Sequence, residues 1–90
     1  NWGDRPFYKD RVPAETIASL AVIAAAVQEN FPSLKIGVNL LRNDARSGIA
    51  IASVLGLAMV RVNVWSGVAA TDQGLIEGHA AELLREKLRL

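Results

Sequence analysis

A short alternating pattern occurs twice in the chain, with a helical segment between the two copies. Lys35-Ile-Gly-Val-Asn and Met59-Val-Arg-Val-Asn both repeat with a period of two, which is typical of β-strands. Because one helix joins them, the two strands are predicted to lie side by side and parallel. This constrains the fold more than any other feature, since parallel sheets occur almost only in α/β proteins.

Helical periodicity and helix-ending residues place three helices around this pair, in the order α-β-α-β-α. The predicted helices are residues 13 to about 30, 45–55 and 75–88, the predicted strands are 35–41 and 58–64, and a polar loop covers 66–74. Two parallel strands leave unpaired edges and an uncovered face. We therefore expect the 90 residues to be a single segment of a larger α/β unit, either a (β/α) barrel or an open doubly wound sheet. The rest of that unit, or a second copy in a homo-oligomer, would complete it.

Composition excludes several classes of protein. Ten Lys and Arg against nine Asp and Glu give a net charge of +1, so no nucleic-acid partner is expected. The absence of cysteine excludes disulfides, thiolate catalysis and cysteine-based zinc sites, and is consistent with the reducing cytoplasm. The longest stretch without a charged residue, Ser47 to Val60, has 14 residues, fewer than the roughly 20 of a membrane-spanning helix.

Polar residues follow both predicted strands, at the edge where parallel α/β folds collect their ligands. Asp4 belongs to the same group, because residues 1–4 are predicted to be the tail of a preceding strand. The candidate ligand-binding residues are Asp4, Asn39, Arg42, Asn43, Arg61, Asn63 and Gln73, and the candidate catalytic residues are Asp44 and Asp72. The arginines favour a small anionic ligand.

Each of these residues also has a purely structural interpretation. Asn39 and Asn63 either bind a ligand or hydrogen-bond a neighbouring loop. Arg61 pairs either with a ligand or with one of the two candidate carboxylates. Asp44 and Asp72 are each either a general base or a helix N-cap. The sequence is compatible with both alternatives at every one of these positions.

Motifs for cofactors and metals are absent from the sequence. It has no glycine-rich nucleotide loop, no Walker loop and no nucleophile elbow, so no cofactor is identified. His79 has no second histidine or cysteine at metal-binding spacing, so we predict no metal site and a surface position for His79.

Four ordered blocks extend over nearly the whole chain and together resemble the BtpA family. They are Asn1-Trp-Gly-Asp-Arg-Pro-Phe-Tyr-Lys, Gly37-Val-Asn-Leu-Leu-Arg-Asn-Asp-Ala, Val60-Arg-Val-Asn-Val, and Thr71-Asp-Gln-Gly-Leu-Ile-Glu-Gly with Ala81-Glu-Leu-Leu-Arg. The block that begins at Thr71 is the most distinctive. Four blocks in one order are much more specific than any single block.

The resemblance implies a TIM-barrel fold, of which this chain would be a partial (β/α)8 segment from the end of the second strand to the helix after the fourth. It also implies a factor for the biogenesis or stability of photosystem I, peripheral to the thylakoid membrane, although many relatives occur in non-photosynthetic microbes. The first functional hypothesis is therefore an assembly factor whose partner is a photosynthetic or other membrane complex. The alternative is a TIM-barrel enzyme for a small phosphorylated or carboxylated metabolite, with Arg42 or Arg61 as anion ligand and Asp44 or Asp72 as acid or base.

Overall fold

A computed structural model describes the backbone of residues 1–90 and all side chains except that of Trp2. It is an α/β fold with a parallel strand pair, as predicted. In chain order the elements are a 3₁₀ turn at Trp2–Asp4, α1 at Ala14–Asn30, β1 at Gly37–Val38, α2 at Ala45–Leu55, β2 at Met59–Val60, β3 at Val68–Thr71, β4 at Gly74–Glu77 and α3 at Ala80–Arg89. None of the described helices has the length and apolar character needed to cross a membrane.

The parallel pair consists of β1 and β2, with Val38 opposite Val60. Main-chain bonds flank this register, because Ala58 N–H donates to Ile36 O at 2.8 Å and Arg61 N–H donates to Val38 O at 2.9 Å. The regular strands are shorter than the predicted ranges 35–41 and 58–64. Beyond them, side-chain amides replace main-chain partners, as described for the candidate site below.

The first two helices have the predicted positions, because local signals determine their ends. Pro13 precedes α1, and its carbonyl accepts a hydrogen bond from Thr16 N–H at 3.0 Å. Gly56 follows α2 with a φ of 65°, the left-handed conformation that commonly ends a helix. These signals act within a few residues, so the sequence alone is enough to place both helices.

One face of the parallel pair is covered by α2. Val12, Leu40 and Ile51 form the buried core beneath this helix. Gly48 lets the helix approach the sheet closely, because a Cβ at this position would lie 3.0 Å from Val60 Cγ1. The helix–sheet contact therefore depends on a residue without a side chain.

The opposite face of the pair is open in the part of the chain that the structure describes. Met59 lies across Gly37 on this face and is 61% exposed. Val22 and Ile23 on α1 are also exposed, at 71% and 58%. Such apolar surface agrees with the prediction that the α/β unit needs a further layer to cover it.

The region after β2 differs from the prediction. Residues 66–74 were expected as a loop and 75–88 as a helix, but β3 and β4 form an antiparallel hairpin and α3 begins only at Ala80. Thr71 stabilises the turn, since its Oγ1 accepts from Gln73 N–H at 3.1 Å, and Gly74 has a φ of 91°. Ile76 is fully buried in β4. The apolar residues Leu75 and Ile76 fit the periodicity of a helix as well as that of a strand. The turn residues before them favour the strand.

Two further predictions, a helix cap at Asp72 and a strand end at residues 1–4, are wrong. Asp72 does not cap the last helix, because it lies in the hairpin turn and His79 occupies the N-cap without a side-chain cap bond. Residues 1–4 are not the tail of a strand but a 3₁₀ turn. The amide of Asn1 takes the place of a strand partner there, since it bonds both the N–H and the carbonyl of Leu41, at 2.7 and 2.8 Å.

We predict that Gly48→Val lowers the free energy of unfolding by about 1–3 kcal/mol, because the new side chain would force α2 away from Val60. Ser53→Val is the matched control, since Ser53 is exposed on the same helix and gains the same β-branched side chain. Denaturant titration of both variants measures the difference. Equal effects of the two substitutions would show that the close approach at Gly48 does not contribute to stability.

Candidate functional site

Asparagine side chains continue the pairing of β1 and β2 beyond the ends of the strands. Asn39 Nδ2 donates to Arg61 O at 3.1 Å and to Asn63 Oδ1 at 3.3 Å. Asn43 bonds Val64 twice, because its Oδ1 accepts from the backbone N–H at 2.8 Å and its Nδ2 donates to the carbonyl at 3.1 Å. A carboxamide carries the same donor and acceptor as a peptide group, so Asn43 acts as an additional strand partner.

The third amide closes this network. Asn63 Nδ2 donates to the carbonyl of Arg42, in the loop that follows β1. All three asparagines therefore bond the neighbouring loop or strand. For Asn39 and Asn63 this is the structural alternative given by the sequence. Asn43 is the most buried of the three, at 7% exposed. Ligand binding by these amides stays a prediction.

Asp44 is the most deeply buried charged residue of the site and is 3% exposed. Its Oδ1 accepts from Ser47 N–H at 3.1 Å, and its Oδ2 accepts from Ser47 Oγ and from Val12 N–H, both at 2.8 Å. The N-cap alternative for Asp44 is therefore confirmed. With both oxygens bonded, the carboxylate joins the segment before α1 to the start of α2.

Arg42 connects the strand ends to the hairpin. Its Nη2 lies 3.0 Å from Asp72 Oδ1, and its Nε donates to Gln73 Oε1 at 2.9 Å. The guanidinium also lies over the ring of Phe7, 5.2 Å from the centroid. The Arg42 side chain is 30% exposed and that of Asp72 is 65% exposed, so the ion pair is partly solvated and stabilises only weakly.

Gln73 has an unusual environment beside this guanidinium. Its Oε1 is occupied by Arg42, but its Nε2 is buried and has no acceptor among the described residues. A buried donor without a partner costs about 1–3 kcal/mol relative to a bonded one. The site therefore has an unpaired donor next to a cation.

Arg61 does not have the ionic partner that the sequence suggested. Asp72 binds Arg42 and Asp44 binds backbone and serine donors, so of the two alternatives for Arg61 the pairing with a candidate carboxylate is wrong, and ligand binding stays a prediction. The reason is the hairpin, which places Asp72 beside the loop after β1. Arg61 is exposed and makes no ion pair within the described part of the chain.

Asp4 lies at the edge of this network. Its Oδ2 accepts from Asn1 Nδ2 at 3.1 Å and from Thr16 Oγ1 at 2.9 Å, which ties the N-terminal turn to the first turn of α1. Sequence reasoning missed Asn1, although its amide binds the backbone of Leu41 directly. No local pattern marks this residue, because its partner is distant in the sequence.

His79 lies outside the strand-end network and is exposed, as predicted. Its Nδ1 is 3.9 Å from Glu82 Oε2 on the same helix. Within the residues that the structure describes, no three His, Asp or Glu side chains gather as metal ligands.

Comparison with known proteins gives consistent matches over the whole chain. The sequence model of the BtpA family matches residues 1–90. "Photosystem I biogenesis protein BtpA" of Synechocystis sp. is 49% identical over 90 residues, which cover 100% of this chain and 31% of that protein. An uncharacterized protein of Methanocaldococcus jannaschii is 54% identical over 87 residues, covering 97% of this chain and 33% of that protein.

A third relative shows the same coverage. An uncharacterized protein of Thermococcus kodakarensis is 50% identical over an aligned length of 92 residues, which covers 100% of this chain and 34% of that protein. The chain thus spans about a third of the length of the curated relatives it matches. No solved structure matches it.

We predict that Asp44→Ala lowers the free energy of unfolding by about 2–4 kcal/mol, because it removes an N-cap and leaves a buried Val12 N–H without its acceptor. Asp72→Ala is the control, since it removes a carboxylate from an exposed ion pair and should cost less than about 1 kcal/mol. Denaturant titration compares the two variants. A larger loss for Asp72→Ala would contradict the structural role of Asp44.

Proposed function

Since the chain belongs to the BtpA family, we propose that it is a segment of a barrel-forming protein that acts in the biogenesis or stability of a membrane complex. The observation that carries the proposal is the 49% identity, over the whole chain, to the Synechocystis photosystem I biogenesis protein. The name of that relative specifies photosystem I as the complex. For this chain we propose a membrane complex of the same kind as the partner. In this proposal the protein works in the cytoplasm, at the membrane surface.

The architecture supports the barrel part of the proposal. A parallel strand pair with a connecting helix is the repeating unit of a (β/α)8 barrel, which typically has about 250 residues. The chain has one such unit and spans about a third of the length of its relatives. Its open sheet face, with Met59, is the face that further strands would cover. The partner that covers it is the remainder of the barrel or a second copy of the chain.

The geometry of the candidate acids favours a binding role for this segment over acid–base catalysis. Asp44 is buried and accepts three hydrogen bonds. Asp72 is bound to Arg42 in the hairpin turn. Both carboxylates that could serve as acid or base therefore have structural partners.

A chimera tests the proposed function directly. We expect the Synechocystis protein to maintain normal photosystem I levels when the third that matches this chain is replaced by residues 1–90, because the identity covers the whole segment. A chimera with the corresponding M. jannaschii segment shows whether any family segment suffices. Photosystem I content per cell, measured spectroscopically, is the readout.

The control for that experiment is the amount of chimeric protein. If the chimera accumulates normally and photosystem I nevertheless falls to the level of a strain without the protein, this segment does not support the proposed role.

A second candidate function, binding of a small anionic metabolite at the strand ends, is favoured by one specific observation. Gln73 Nε2 is a buried donor without an acceptor among the described residues, and it lies beside the guanidinium of Arg42. Arg61 adds an exposed cation after β2. A phosphate or carboxylate oxygen supplies the acceptor that these donors lack.

We predict that a simple carboxylate raises the melting temperature of the protein, and that Arg61→Gln weakens its binding about tenfold. Lys35→Gln is the control, because Lys35 is an exposed cation just before β1, at the other end of the strand pair. Thermal shift titration at constant ionic strength gives the affinities. Equal weakening by both substitutions would indicate general electrostatics and contradict a strand-end site.

A further inference from the structure

A basic groove lies beside α2 and α3, away from the strand-end network. We call it the arginine groove. Its volume is about 330 Å³, and it is lined by Arg11, Arg46, Glu82, Arg85, Glu86 and Arg89. These residues are arginines and glutamates alone, so its chemistry is that of guanidinium and carboxylate groups.

Separate parts of the chain bring these arginines together. Arg85 and Arg89 are four residues apart on α3, so they lie on the same face of the helix, one turn apart. Arg11 precedes α1 in a segment that is held in place, because Asp44 accepts a hydrogen bond from the N–H of the adjacent Val12. The groove is therefore built by tertiary packing and not by one flexible segment.

Glu86 pairs with two of the guanidinium groups. Its carboxylate lies 3.3 Å from Arg46 Nη2 and 2.9 Å from Arg89 Nη2, and it also accepts from Arg89 Nε at 3.0 Å. The hydrogen bond from Arg89, together with the charges of both arginines, lowers the pKa of Glu86. Glu86 is therefore ionised at neutral pH and forms an ion pair with each of the two guanidinium groups.

The groove keeps an excess of positive charge after this pairing. Its four arginines and two glutamates leave a net charge of +2, whereas the whole chain has +1. Arg11 and Arg85 make no ion pair among the described residues, and the carboxylate of Glu82 is 3.9 Å from His79. Two guanidinium groups in the groove thus lack an anionic partner.

We propose that the arginine groove binds inorganic phosphate or a small phosphate monoester, with Arg11 and Arg85 as the direct ligands. Such a ligand carries a charge of about −1.5 to −2 near pH 7, which matches the excess charge of the groove. The planar fork of a guanidinium group fits two phosphate oxygens at once. Arg46 and Arg89, which pair with Glu86, add donors at the side of the groove.

Calorimetric titration of the protein with inorganic phosphate and with glycerol phosphate, at fixed ionic strength, tests this site. Arg11→Gln/Arg85→Gln is expected to weaken both affinities about tenfold or more. The control is Lys35→Gln/Lys87→Gln, which removes the same charge but changes no residue of the groove. Its affinities should stay within about twofold of the unmodified protein.

Two further variants keep the outcome clear. Arg11→Lys/Arg85→Lys preserves the charge but not the fork geometry and should give intermediate affinity. Arg61→Gln should leave phosphate binding in the groove unchanged, which separates this site from the strand-end site. Circular dichroism of each variant verifies folding, and all of the substituted side chains are exposed.

Several results would overturn the proposal. One is equal weakening by the two double glutamine variants, which would show general electrostatic attraction. Another is the absence of binding by both phosphate and glycerol phosphate. A third is binding to vesicles with phosphatidic acid but not to either soluble ligand, which would show a membrane surface as the partner.

Discussion

The carboxamide groups of Asn39, Asn43 and Asn63 hold the parallel pair together where its main-chain ladder ends. β1 and β2 have only two paired residues each, which is too short a ladder to fix the loops that follow. The amides replace the missing backbone partners. Asn43 is 7% exposed, so loss of its bonds would leave buried polar groups unpaired. Since Asp44 follows Asn43 directly, the same bonds also set the start of α2 and, through Val12, the entry to α1.

The sequence was sufficient to predict those parts of the fold that local signals determine. Pro13 and Gly56 mark the limits of helices within a few residues, and the period-two pattern identifies the parallel strands. The hairpin was missed because Leu75 and Ile76 fit a helical stripe as well as a strand. What decides between them is the turn before Gly74, where a positive φ and the Thr71 hydroxyl favour the hairpin.

For the candidate residues, the sequence predicted that the polar side chains after the strands gather, but not which of them pair. Parallel topology alone brings the polar residues after the two strands to one edge, so these residues do gather. Which side chains pair depends on their distances in the folded chain, and these cannot be read from the sequence. The unforeseen hairpin brings Asp72 to Arg42 and away from Arg61, and Asn1 reaches Leu41 from the other end of the segment.

The distinction between satisfied and unsatisfied groups separates the structural residues from those that can bind. Asp44 and the asparagines already have partners, so they fix positions. Among the described residues, donors without an acceptor or an ionic partner include Gln73 Nε2 at the strand ends, Arg61 after β2, and Arg11 and Arg85 in the arginine groove. Gln73 Nε2 is neutral and buried, so salt has little effect on a hydrogen bond that it donates. The exposed arginines are charged, and their attraction for anions extends over about 8–10 Å at moderate ionic strength. An anion would therefore reach the groove by long-range attraction. At the strand ends, Gln73 Nε2 would instead select a ligand by the position of its acceptor oxygen.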